Sequence, residues 1–511
     1  MSDWNTGYIA DIGYTYGYYA ELNPLRLKLA FLNKGIALSG SGTACELGFG
    51  QGLSINIHAA ASATSWYGTD INPSHAGFAR ELARIADTDV RLYDDSFAEF
   101  AARPDLPDFD FIGMHGIWSW ISDENRSVIV DFIRRKLKIG GVLYISYNTL
   151  PGWAAFSPLR QLMTMHSSMS GSRKQDIVHR VEDALEFAEK LLATNPLYSR
   201  ANPLAGELLK KIKKENRIYL AHEFFNSDWH PMHFATTAEL LEPAKLQYVC
   251  SASYLDQIDA MHLTEEQISF LQEIHDPMFR ENVRDVMVNN RFRRDYWVKG
   301  IRKMDQFDQA EKIRQQKIIL VTRRPDVSLK VHSVLGEAIL NEDVYLPILD
   351  FLADLTPKTI GDIEQAVKPK KVRFSQVIHA VLVIAAKGHI FAVQGNEEIS
   401  HVKDQCDRLN AHLLVKARSS SDIGYLASPV TGGGIPVGRF QQLFLLAIRE
   451  GMQEPSDWVQ FTWQILFAQG QKFVKKGKTL ETPEENIAEL TALAKTFMKK
   501  QLPALKALQV T

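Results

Sequence analysis

Short apolar runs alternate with amphipathic stretches through the first 150 residues. The runs predict strands near 42–48, 66–70, 89–93, 109–114 and 141–147, with helices between them at about 52–62, 74–86, 96–102 and 123–137. The last helix is the most legible. Val128, Ile129, Phe132, Ile133 and Leu137 form one apolar face, Ser122 precedes it as an N-cap, and Arg134, Arg135 and Lys136 complement its C-terminal dipole. Gly140 and Gly141 are expected to stop it and begin the next strand. Strands alternating with helices imply an α/β fold with a doubly wound, mostly parallel sheet.

Around this core the pattern changes. Residues 1–35 form a tyrosine-rich arm with Tyr8, Tyr14, Tyr16, Tyr18 and Tyr19, followed by a helix expected over 24–32. The arm reads either as a cover over a ligand cleft or as a segment packed on the domain. The core proper is expected over 36–154, and 155–222 reads as a helical insertion. In 223–305 a helix near 237–241 and strands near 246–252 and 292–298 are expected to complete the sheet. Helices at about 343–354, 359–366 and 374–387 and a strand at 389–393 suggest a winged-helix-like module over 306–400, which is expected to serve protein–protein or intramolecular packing. Residues 401–511 read as mainly helical, with 428–437 as a turn and an amphipathic tail helix from 483 that serves packing or assembly, a homodimer included.

Composition narrows the class. A chain of 511 residues, 45% hydrophobic and 23% charged, can form about three domains with ordinary cores. A net charge of −2 speaks against bulk electrostatic capture of nucleic acid or acidic membrane. Residues 1–150 carry 12 Lys/Arg against 17 Asp/Glu, a net of −5, which leans toward a basic substrate. Cys45, Cys250 and Cys406 are far apart and do not have zinc-ligand spacing, so no metal is expected. The expected location is cytoplasmic, because neither a signal-peptide pattern nor a long uninterrupted apolar run is present.

Candidate chemistry centres on Glu46-Leu47-Gly48-Phe49-Gly50-Gln51-Gly52, between a predicted strand and a predicted helix. Glycines there let the chain turn sharply and let a ligand approach the backbone. A dinucleotide fingerprint would need a third glycine at position 53, which is Leu53, and a P-loop would need Gly-Lys-Ser/Thr. Asp70 ends the second strand, where an acid can accept both hydroxyls of a ribose. Asp94, Asp95 and Ser96 leave the third strand, where a carboxylate can accept from an adenine amino group. His115 leaves the fourth, as a base, a hydrogen-bond anchor or a simple strand cap; Trp118 and Trp120 follow as acceptor-facing or core rings.

The glycine spacing with Glu46 ahead of it resembles motif I of the class I S-adenosylmethionine-dependent methyltransferases, which have a Rossmann-like core. That resemblance implies S-adenosyl-L-methionine as cofactor, with Glu46 near its methionine end, Asp70 on the ribose, Asp94 on the adenine, and Ile71, Asp95, Ser96 and His115 beside them. A longer ordered series sharpens it: His115-Gly116-Ile117-Trp118-Ser119-Trp120, Ser146-Tyr147-Asn148-Thr149-Leu150-Pro151-Gly152-Trp153, His222-Glu223-Phe224-Phe225, His230-Pro231-Met232-His233-Phe234 and Phe292-Arg293-Arg294-Asp295. The series is similar to bacterial methyltransferases with a methyltransferase regulatory domain, and in layout to rickettsial outer-membrane-protein lysine methyltransferases. The implied activity is N-methylation of lysine in a protein partner. His115 and Tyr147 are the candidate catalytic residues; Tyr16, Trp118, Asn148, Trp153, His230 and His233 are the candidate substrate contacts. Methylation of a sugar or other small metabolite, and a cofactor-binding regulator without turnover, are the alternatives. Every cofactor motif lies before residue 100, so a chain cut near 305 is expected to keep cofactor binding and lose methylation of a protein acceptor.

Overall fold

The computed structural model describes residues 14–38, 40, 42–170, 177–224, 226, 228–475 and 477–511. Tyr8 and Phe225 lie outside the described residues. After helix α1 (Pro24–Asn33), strands and helices alternate: β1 (Thr43–Leu47), α2 (Leu53–Ala61), β2 (Ser65–Thr69), α3 (Pro73–Ala86), β3 (Arg91–Tyr93), α4 (Phe97–Ala102), β4 (Phe109–Met114), α5 (Asp123–Lys136) and β5 (Leu137–Asn148). Two later strands, β6 (Leu246–Ser251) and β7 (Phe292–Lys299), join the same sheet. The order is β3-β2-β1-β4-β5-β7-β6. The first five strands run parallel, and β7 is antiparallel to both β5 and β6. This is the doubly wound Rossmann-like sheet of class I methyltransferases, whose ligand crevice lies at the carboxyl ends of β1 and β4, where the strand order reverses.

Ser122 caps α5 as expected, its side chain accepting from the Asn125 N–H. The helix does not run to Gly140. It ends at Lys136 and passes directly into β5, because buried Leu137 already pairs with Phe109. Gly140, at φ +80°, then sits inside the strand where the register with β4 shifts. The two glycines therefore make a bulge, not a stop.

Helix α2 explains how the rest of the chain is attached. All nine of its residues are buried. One flank meets the sheet, and another meets the long helix Asn396–Lys416 and the hairpin Tyr425–Ser428/Gly433–Pro436. A helix buried on every side must be apolar or hydrogen-bonded all round, and Leu53-Ser54-Ile55-Asn56-Ile57-His58-Ala59-Ala60-Ala61 meets that requirement. Asn56 donates to the carbonyls of Gly52 and Ala79, and His58 Nε2 lies 3.1 Å from the Tyr19 carbonyl. Leu53, Ile57, Leu82 and Ala86 share one core with Leu409, Leu413, Leu426 and Phe444.

The stretch 428–437, read from sequence as a turn, is half strand and almost wholly buried; only Pro429–Gly432 make the turn. Its glycines receive the N-terminal arm. A Cβ on Gly434 would stand 2.9 Å from the Tyr18 ring, and Asn23 Nδ2 donates to the Thr431 carbonyl at 3.0 Å. Residues 306–400 add to the expected helices a small antiparallel sheet, with Lys317–Leu320 between Lys358–Thr359 and Ile390–Ala392, and a hairpin Lys330–Ser333/Gly336–Ile339. Helices Ser157–Ser170, Ile177–Ala193, Leu197–Ala201, Pro203–Ile212 and Arg217–Phe224 follow β5, around a core of their own. Among the described residues no helix is long and apolar enough to cross a membrane.

Candidate functional site

At the carboxyl ends of β1, β2 and β4 lies a cleft of about 1250 Å3, part of it open to solvent. Its floor is the glycine turn. Gly48 (φ +71°) and Gly52 (φ +71°) adopt left-handed backbone, and a Cβ at either would stand 2.3 Å from Ile117 Cδ1 or 2.4 Å from Ala79 Cβ. Only glycine meets both requirements. Gly50 (φ +58°) faces the cleft beside Tyr14.

Asp70 forms the next wall. One carboxylate oxygen accepts from the Gly50 N–H at 2.8 Å; the other accepts from the Asn72 N–H at 3.0 Å and lies 3.2 Å from His75 Nδ1. The carboxylate thus braces the turn while still lining the cleft with Ile71. The oxygen bonded to Gly50 retains a lone pair for a ligand hydroxyl.

The third strand corrects the sequence reading. Asp94 does not line the cleft: Arg80 on α3 draws its carboxylate outward at 2.6 Å and holds its pKa below the usual range. Asp95 and Ser96 line the cleft instead, with Phe97. Asp95 is aligned by Arg103, and its carbonyl accepts from Thr69 Oγ1. Glu46 is corrected as well. It is 1% exposed, stands outside the cleft wall, and one carboxylate oxygen has no hydrogen-bond partner. Burial, then the nearby Asp70 charge, pushes its pKa well up.

His115 lines the opposite side. It stacks on Tyr19 with ring centroids 3.7 Å apart, and its Nδ1 lies 2.7 Å from the Tyr144 hydroxyl. Burial lowers its pKa to about 4. A neutral imidazole at physiological pH is a hydrogen-bonding group there, not a strong base.

Several expected residues are elsewhere. Trp118 is fully buried in the core, with its carbonyl held by Arg126; Trp120 lines the cleft in its place. Tyr147 is 1% exposed and donates to Asp295 at 2.9 Å, in a buried cluster where Arg293 also binds Asp285, Glu281 and the Tyr248 hydroxyl. It points away from the cleft because β5 alternates, and its neighbours Tyr144 and Ser146 point toward His115 and Gly116. Asn148 is buried, with its backbone bonded to Ser119 and Met232. Trp153 donates to the Arg291 carbonyl and meets Trp229 edge-on. Tyr16 packs on Phe78, outside the cleft. His230 and His233 are exposed and do not line it, and among the described residues no cluster of three metal-ligand side chains forms.

The residues that complete the cleft are Tyr14, Tyr19, His222, Asn226 and Asp228. Tyr14, Tyr19 and His222 were signalled in the sequence by the tyrosine cluster and the 222–225 motif, whereas Asn226 and Asp228 fall between motifs; which members face inward depends on long-range packing that sequence spacing does not encode. Tyr14 bridges the two halves, its carbonyl accepting from Gln51 and its ring meeting His222 edge-on at 5.0 Å.

Two buried imidazoles make stability depend on pH. His58 and His115 are both lowered to about 4 by burial, against 6.5 for an ordinary imidazole. Between those values the unfolded chain binds protons that the folded chain refuses. Their contribution is therefore full above pH 6.5 and is lost as pH falls toward 4, by up to ~3 kcal/mol for each. Asp295, pushed up to about 6 by burial, and Glu46, also raised by burial, oppose this, while the lowered imidazoles of His379, His389 and His412 act with it. Thermal melts are expected to show a falling Tm from pH 7 to 4.5; a flat or rising profile contradicts the burial of these rings.

The site fits a nucleoside sulfonium cofactor: a glycine floor that side chains would block, a carboxylate at ribose position and a polar-aromatic wall after β3. Comparison with known proteins agrees. Residues 216–299 match the family model "Predicted methyltransferase regulatory domain". Protein sll1526 of Synechocystis is 39% identical over 513 residues, covering 99% of this chain and 100% of that protein. Protein RP789 of Rickettsia prowazekii is 29% identical over 220 residues, 42% of this chain and 36% of that protein. Among solved structures, PKMT2 from Rickettsia typhi in complex with AdoHcy superposes with a TM-score of 0.69 at 18% identity, covering 98% of this chain and 100% of that one. The chain belongs to the same family as sll1526 and has the fold of the class I S-adenosylmethionine-dependent methyltransferases, with the strands of the segment matched by the methyltransferase regulatory domain built into its sheet.

Proposed function

We propose that the chain transfers a methyl group from S-adenosyl-L-methionine to lysine side chains of a protein. Asp70 would hold the ribose hydroxyls, Asp95 and Ser96 the adenine edge, and the backbone of Gly48–Gly52 the amino-acid end. The bound cofactor supplies an electrophilic methyl on a sulfonium. The chain's own part is to place a nucleophile in line with it and keep water out, and positioning alone can carry a large share of the rate.

The observation that carries the acceptor class is the state of His115. Desolvation holds it near 4 beside Tyr19, so it is neutral at physiological pH and adds no positive charge where a sulfonium is to be held. A lysine ammonium drawn in among these buried rings is desolvated in turn and gives up its proton to solvent, leaving the amine lone pair free to attack. The new N–C bond forms as the S–C bond breaks, and sulfur keeps the electron pair. A likeness in fold to PKMT2 of Rickettsia typhi, solved in complex with AdoHcy, supports the cofactor part of this reading.

The test is transfer of tritium from methyl-labelled cofactor into a cell extract, followed by acid hydrolysis and amino-acid analysis. Label is expected in methyl-lysine. Label in a sugar or small-metabolite fraction sinks the lysine reading and leaves the transferase standing; cofactor binding with no labelled product in any fraction points to a regulator without turnover.

A further inference from the structure

The charges around the cleft are one-sided. Among the described residues that line it there are three carboxylates, Asp70, Asp95 and Asp228, and neither a lysine nor an arginine. Two of the three already have structural partners. Asp70 braces the glycine turn through two backbone N–H groups, and Asp95 is paired with Arg103. Asp228 stands apart from both. It comes from the segment that follows the helical insertion, its side chain is 33% exposed, and its neighbour is the exposed His230, with Nε2 at 3.3 Å.

The segment carrying Asp228 is held in place. The His230 N–H donates to the Ser119 carbonyl at 2.8 Å, tying it to the loop that presents Trp120. Trp229 lies 6.4 Å from Trp120 and 5.6 Å from Trp153, and the Arg160 guanidinium covers its ring at 4.8 Å. The result is a fixed carboxylate at the rim of a cleft whose nearby wall is aromatic. A long alkyl-ammonium side chain needs such a pairing: apolar surface for its methylenes and a partly solvated acid for its charged end. An anionic acceptor would meet three carboxylates and no cation.

We propose that Asp228 is a specificity-determining residue that captures the ammonium of the incoming lysine at the rim, before the side chain slides past Trp120 toward the His115 wall. The proposal rests on the lysine reading above. It separates capture from chemistry: the rim selects a cation, and the desolvated interior discharges it.

The probe is a library of N-acetylated peptides with one lysine each, assayed with methyl-tritiated S-adenosylmethionine. Asp228→Asn is expected to raise the KM for labelled peptides about tenfold while kcat changes by less than about threefold. Cofactor affinity by calorimetry is expected to stay at the wild-type value, because Asp228 is not among the residues proposed to hold the cofactor. Asp228→Glu is expected to recover most of the lost affinity, a result that a role in shape alone would not produce. A wild-type KM in Asp228→Asn, or a Glu variant as poor as the Asn variant, overturns the assignment of Asp228 and leaves the lysine reading intact. A wild-type protein that binds cofactor but labels no lysine peptide overturns the lysine reading, and Asp228 falls with it.

Discussion

Removing residues 306–511 is expected to abolish cofactor binding, although every residue proposed to touch the cofactor precedes that cut. Sequence spacing suggests the opposite, since the cofactor motifs end before residue 100. The reason lies in α2, the helix that starts at Gly52. Its outer flank is covered by Asn396–Lys416 and the hairpin Tyr425–Ser428/Gly433–Pro436. Truncation uncovers Leu53, Ile57 and Leu82, each at most 1% exposed in the full chain. Burial of one such side chain contributes ~1.5–3 kcal/mol, so three take a large share of a domain's ~5–15 kcal/mol. The cut also removes the donors of Gln394 to Ala61, Cys406 to Ala60 and Arg408 to Ala86. It frees the arm residues Tyr18 and Asn23 from the glycine hairpin. An insoluble fragment, or a soluble one without measurable affinity for S-adenosylhomocysteine, is the expected outcome. A folded fragment that binds at full-length affinity contradicts the attachment described here.

Asp70→Ala is expected to weaken cofactor binding by a factor of about 5 to 150 and to leave a folded chain. The carboxylate has two tasks. It accepts from Gly50 and Asn72 backbone N–H groups, which fixes the turn, and it is proposed to accept the ribose hydroxyls. Leaving such groups unpaired costs ~1–3 kcal/mol, which is that range in affinity. Gly50→Val reaches the same end differently. At φ +58° a β-branched residue is strained, and its side chain enters the space beside Tyr14 where a ligand must meet the backbone. Calorimetry on both variants decides the matter; wild-type affinity in both would falsify the site.

How much was legible follows a physical division. Elements whose pattern is local were readable: α5 from its cap and apolar face, the glycine turn from its spacing, β6 from a short apolar run. What depended on strand alternation or distant partners was not. Tyr147 and Tyr144 are three residues apart on β5 and look equivalent in sequence, yet alternation sends one to Asp295 and the other to His115. Asp94 and Asp95 are adjacent acids, and Arg80 and Arg103 decide which of them leaves the cleft. Trp118 and Trp120 divide in the same way, one core and one wall. The stretch 428–437 reads as a loop because five of its residues are glycine or proline in a row of small side chains, and its burial under Tyr18 appears only in three dimensions.

The most direct measurement is a crystal structure of the chain with S-adenosylhomocysteine. The account predicts ribose hydroxyls within about 3.2 Å of the Asp70 carboxylate, the adenine edge beside Asp95 and Ser96 with Asp94 still on Arg80, and the sulfur facing Tyr19 and His115. A ligand bound outside this cleft, or inside it with Asp70 out of reach of the ribose, contradicts the account.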